Sequence, residues 1–160
     1  MRWLDEFVPG ETFALGSHTF DADAIVAFAR DFDPQPFHLD EDAGRASLFG
    51  GLAASGWHVA CAWMKLWIAH QSRAMAERAA RGGLQPIPGP SPGFDDMRWL
   101  RPVLAGDTVA YTTTILAARP SKSRPEWGIV DTTSEGRVAD TVVFSFTGHI
   151  FMPTRPEGAA

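Results

Sequence analysis

The sequence predicts an α+β fold in which an antiparallel sheet wraps one long helix. Two observations carry the prediction. Residues 57–70, "WHVACAWMKLWIAH", are apolar nearly all round apart from Lys65, the pattern of a helix enclosed on most sides. From residue 93 onward the chain reads as one strand after another, with no second long helix to cover a sheet.

The elements follow in order. The first 20 residues alternate loosely around "PGETF" and predict a short strand or extended arm. Asp21 is placed to cap a helix whose apolar face is Ile25, Phe28, Ala29 and Phe32, at i, i+3, i+4 and i+7. Pro34 and Pro36 end it. "LDEDAGRAS" predicts a short acidic-started helical turn. The long helix is expected from Ser55, a good N-cap, to about Arg81, with Gly82-Gly83 as its stop. Arg73, Arg78 and Arg81 sit toward its C-terminal end, where the helix dipole favours cations. "LQPIPGPSPG" reads as a loop. Strands are expected in "FDDMRWLRPV", "DTVAYTTTILAA", "WGIVDTT" and "RVADTVVFSFTGHIFM", the last preceded by a hairpin turn at Ser134-Glu135-Gly136.

Composition narrows the class. The chain has 160 residues, 45% hydrophobic and 21% charged, ordinary for a globular protein with a real core. One domain over 1–160 is expected, with its core over about 10–153. A net charge of −5 argues against a sequence-independent nucleic-acid partner, which needs a basic surface. The apolar run at 57–70 is shorter than the roughly 18 residues a membrane span needs, so no membrane partner is expected. "MRWLDEFVPGETF" lacks the apolar core of a signal peptide, which predicts a cytoplasmic location. Cys61 is the only cysteine, so neither a disulfide framework nor a cysteine metal cluster is expected. His18, His70 and His149 show no H-x-x-x-H spacing, so no metal site is expected.

The chemistry concentrates in "ARDFDPQPFHLDED". Asp33 and His38 flank two prolines, which restrict the backbone between them. A carboxylate and an imidazole on either side of one water can take a proton from it and deliver one to a substrate. Spacing alone leaves a second reading open, a proline-terminated helix with an incidental histidine. Asp31 is the rival carboxylate. Gly56, at the start of the long helix, either packs closely or lets free backbone N–H groups meet an oxygen that gains negative charge.

"DPQPFH" resembles the D-x-N-P-x-H motif of the MaoC-like dehydratases, the family of (R)-specific enoyl-CoA hydratases, which have the hot-dog fold. "FGGLAASGWH" is similar to the segment entering that family's central helix, "RPVLAGDTV" to its strand-turn-strand element, and "SKSRPEWGIV" to a recurrent bend between later strands. The resemblance spans most of residues 20–150. It implies a hydro-lyase acting reversibly on a 2-enoyl-CoA, with coenzyme A arriving as part of the substrate and no metal or redox cofactor. It implies Asp33 as the group that orients and deprotonates water and His38 as its partner, exchanging a proton with the substrate α-carbon. Gln35, where the family often has asparagine, is implied as a supporting residue, and Gly56 as an oxyanion donor. A homodimer or larger homo-oligomer is implied, because family pockets form between subunits. Lys122 and Arg124, with Arg98 and Arg101, are candidates to meet coenzyme A phosphates; solvated loop charges are the plainer reading of each.

Two positions depart from the family: Ser55 stands where a histidine is common, and Met64 where a serine often lies in the central helix. Ser55 reads as a cap rather than a nucleophile, since no G-x-S-x-G surrounds it. His58, Cys61, Trp63 and Trp67 read as core. Two other functions remain open. A hot-dog thioesterase usually carries an acid on the central helix, and residues 55–76 hold no Asp or Glu. A non-catalytic acyl-CoA-binding subunit is the other.

Overall fold

The computed structural model describes residues 2–156. A 3-10 turn at Leu4–Glu6 precedes β1 (Thr12–Thr19), α1 (Ala22–Phe32), α2 (Pro36–Leu39), α3 (Glu41–Ala46) and α4 (Gly56–Ala80). Then come β2 (Gly93–Trp99), β3 (Thr108–Pro120), β4 (Trp127–Val138) and β5 (Thr141–Pro153). The five strands form one antiparallel sheet in the order β1-β3-β4-β5-β2.

The expected caps are present. Asp21 accepts a hydrogen bond from the Ala24 N–H, and Asp40 does the same for Ala43 at the head of α3. Ser55 accepts from Trp57 N–H at 3.3 Å, and α4 runs 25 residues before Gly82, at φ +72°, ends it. The sheet curls round α4 and grips it by polar bonds as well as packing: Tyr111 donates to the Val59 carbonyl at 2.9 Å and Trp63 Nε1 to Thr113 at 3.3 Å. Phe20, Ile25, Val109 and Phe144, none of them solvent-exposed, fill the space between helix and sheet.

The structure corrects four expectations. Ser134-Glu135-Gly136 is the interior of β4, not a turn. Gly136 faces Tyr111 across the sheet, and a Cβ there would come within 3.0 Å of the Tyr111 ring, so the glycine makes room for an aromatic ring. The turn falls instead at Ala139-Asp140, with Ala139 at φ +48°. Phe32 is 72% exposed, its ring 4.9 Å from Phe28, because the last turn of α1 runs past the core. The long helix is not enclosed on most sides: the sheet covers one face, and Trp57, Met64 and Ile68 are about half exposed beside it. Cys61 is exposed with them rather than buried in the core.

The entrance to α4 is laced in place. The Ala53 N–H donates to the Phe37 carbonyl, Ala54 N–H to Val103, and Ala105 N–H to Leu52. Gly44 of α3 permits this path, since a Cβ there would lie 2.5 Å from the Gly51 carbonyl oxygen.

Candidate active site

Pro34 stops α1 after Asp33, which caps its C-terminus, as expected. Pro36 does something the sequence reading did not assign: it opens α2 as the first residue after the cap Gln35, a position that lacks an N–H partner in any case. His38 therefore stands on a helical turn whose direction differs from that of α1. The change of direction brings the Asp33 Oδ2 and His38 Nε2 atoms to 3.4 Å, with His38 only 5% exposed. Asp31 stays exposed on α1, so of the two carboxylates it is Asp33 that faces the imidazole.

The hydrogen bonds define what each group can do. His38 Nδ1 lies 2.7 Å from the Ala53 carbonyl. A carbonyl only accepts, so Nδ1 carries the proton and the neutral ring presents a bare lone pair at Nε2. Gln35 donates to Asp33 Oδ1 at 2.8 Å and Ser55 donates to Oδ2 at 2.7 Å. Partial burial pushes the Asp33 carboxyl upward, but the bonds from Gln35 and Ser55, and the His38 charge whenever that ring is protonated, outweigh it and hold the carboxyl below its ordinary value. With both atoms acceptors they do not bond one another directly, and a donor entering the cleft meets the two side by side.

The pair opens on a cleft of about 380 Å³ whose walls include Gln35, Gly56, Trp57, Trp99 and Arg101. Gly56 is thus beside the pair, as expected, but its missing side chain has another occupant: a Cβ would lie 2.6 Å from the Trp99 indole, whose Nε1 donates to the Gly56 carbonyl at 2.8 Å. The start of α4 borders this cleft through Gly56 and Trp57, the Trp57 N–H being taken by the Ser55 cap. Trp57 also lines a second, mostly apolar chamber of about 490 Å³ between α4 and the β4-β5-β2 side of the sheet, where Met64 and Phe94 lie.

The four basic candidates do not converge. Arg101 lines the cleft; Arg98 is exposed on β2, 3.6 Å from Asp96. Lys122 and Arg124 lie in the β3–β4 connection. That end of the sheet adjoins the C-terminal part of α4, where Arg78 pairs with Glu6, and not the helix start beside Asp33. The sequence did not announce Trp99 as a neighbour of the site, nor the bond from Ser55 to Asp33. Ser55 was legible as a cap, but no local pattern announces a bond to a residue 22 positions away. Among the described residues no group of three or more His, Cys, Asp or Glu is arranged to hold a metal.

A five-stranded antiparallel sheet curled round one long helix is the hot-dog fold. Residues 6–136 match the family model described as "MaoC like domain", and the chain belongs to that family. A crystal structure of the MaoC-like dehydratase from Rhodospirillum rubrum superposes with a TM-score of 0.78 at 38% identity, covering 98% of this chain and 99% of that one. Over 65 residues (41% of the chain) it is 42% identical to the Bacillus subtilis protein "Uncharacterized protein YdeM", and over 49 residues (31% of the chain) 41% identical to a mesaconyl-CoA hydratase of Haloarcula marismortui. These matches span 46% and 14% of the relatives' own lengths.

Proposed function

We propose that the protein is a hydro-lyase that adds water across, or removes it from, the double bond of a 2-enoyl-CoA or related acyl thioester. The observation that supports this most directly is the Asp33–His38 pair, a bare Nε2 and an ionised carboxylate 3.4 Å apart at one cleft. A water lying between them is oriented by two acceptors, so its oxygen lone pair is directed away from both. Attack at the β-carbon moves electron density to the thioester oxygen, and the Gly56 N–H at the start of α4, which borders the cleft, is the donor this reading assigns to receive it. The likeness to a mesaconyl-CoA hydratase supports an acyl-CoA substrate. The reaction requires water and the thioester; coenzyme A enters with the substrate.

In this reading the acyl chain runs past Trp57 toward the apolar chamber, and Arg101, not Lys122 or Arg124, is the basic residue at the cleft of the same chain. The exposed apolar face of α4, beside the edge strand β2 with Phe94 half exposed, supports a homodimer in which a second copy closes the chamber. The test is direct. A panel of 2-enoyl-CoA thioesters is offered and the loss of enoyl absorbance followed. Turnover by the natural chain, reduced by about 10²–10⁴-fold in Asp33→Asn and in His38→Ala with the fold intact, supports the assignment; near-normal turnover in those variants overturns it.

A further inference from the structure

We propose that Ser55 is a positioning residue: it ties the first turn of α4 to Asp33 and, with Gln35, holds that carboxylate as a fixed anionic acceptor, so that His38 carries the proton. The inference rests on the hydratase reading above and deepens it.

A capping serine needs only its oxygen, which here accepts from Trp57 N–H. Ser55 is 1% exposed and gives its one hydroxyl proton to Asp33 Oδ2 at 2.7 Å, a second bond that capping does not require. Gln35 occupies the other oxygen at 2.8 Å. Each oxygen of Asp33 therefore has a directed donor. Protonating the carboxyl would remove the negative charge that both donors stabilise and weaken both bonds. His38 has no such conflict. Its Nδ1–H is held by the Ala53 carbonyl, and Nε2 faces the space beside Oδ2. The titratable and charged groups around Asp33 are His38 on α2, Arg101 on the segment after β2, and the exposed Asp31 on α1.

The hydration step then balances as follows. An O–H bond of water breaks and its proton goes to His38 Nε2, while the water oxygen bonds to the β-carbon. The π electrons move to the thioester oxygen. The imidazolium next gives its proton to the α-carbon, the enolate collapses, and His38 returns to neutrality. Asp33 stays ionised throughout, orienting the water and then stabilising the imidazolium.

The experiment follows the Asp33 side-chain carboxyl carbon by NMR against pH in ¹³C-labelled protein, its signal assigned by absence in Asp33→Asn. Ser55→Ala removes the hydroxyl; Ser55→Gly removes it while keeping a residue well tolerated at an N-cap. Thermal melts confirm the fold. In both variants the Asp33 midpoint should rise by about one pH unit, and kcat on a 2-enoyl-CoA should fall roughly tenfold, more than KM changes. The acid limb of the kcat profile should move up with the midpoint. An Asp33 midpoint equal to that of the natural chain in both variants overturns the proposal. If the natural chain turns over no enoyl thioester, the hydratase reading fails, whereas the carboxyl titration still decides the role of Ser55.

Discussion

Trp99 covers Gly56: its indole occupies the space a Cβ would need, and its Nε1–H is bonded to the Gly56 carbonyl at 2.8 Å. The edge strand β2 and the start of the central helix are thereby locked together at the wall of the cleft. Gly56→Ala should expel the ring, lowering stability by about 1–3 kcal/mol as overpacking does. Urea titration measures the loss, and a shift in tryptophan fluorescence reports the displaced indole. Unchanged stability and emission would show that the contact carries no energy.

His58 sets an acid limit. Its ring stacks on Phe28 at 4.6 Å and meets Phe20 edge-on, and its Nδ1 is buried with no hydrogen-bond partner among the described residues. Burial, and then the neighbouring His18, push its pKa below the ordinary 6.5, with Asp21 acting the other way. Below about pH 6.5 the unfolded chain takes up a proton that the folded chain resists, so stability falls as pH drops. His58→Phe keeps the stack and removes the proton site. Its loss of stability between about pH 7.5 and about pH 5.5 should be smaller than that of the natural chain. Some loss should remain, because His18 is also lowered by burial and by Lys65.

His149 acts in the opposite sense. On β5 it joins Asp131 of β4 at 2.7 Å and Asp95 of the edge strand β2 at 3.0 Å. Those bonds, Asp131 first, raise its pKa against a small opposing effect of burial. A raised folded pKa means that the stabilisation is fully present below about 6.5 and is lost as pH rises through the folded value. His149→Asn should therefore cost more stability at about pH 6 than at about pH 9. Equal losses at the two values would sink this account.

The open face of α4 yields a prediction about assembly. Ile68 is 55% exposed and lines the apolar chamber beside Met64. If a second copy covers this face, Ile68→Glu should convert the assembly to monomer in sedimentation velocity, since an unpaired buried charge is strongly disfavoured. A sedimentation coefficient unchanged from that of the natural chain would place the interface elsewhere.

The sequence by itself determined the elements whose causes are local. Asp21 and Ser55 cap the helices they were expected to cap, and Asp40 opens the expected acidic-started turn, because a side-chain oxygen and an N–H two or three residues on are close in any helix start. An apolar run between the Ser55 cap and Gly82-Gly83 marked the long helix, alternation marked the strands, and "DPQPFH" marked Asp33 and His38. What failed was decided across space. Gly136 looked like a turn residue until Tyr111 lay over it, and no local pattern showed that Trp99 packs on Gly56. Apolarity all round α4 said that the helix must be covered but not by what, and this chain's own sheet covers one face. The hydroxyl proton of Ser55 went to a carboxylate 22 residues earlier, a contact that exists only because the chain from α2 to α4 folds back on itself through Ala53. Local chemistry is written in adjacent residues; which groups meet, and therefore which proton moves, is fixed by packing.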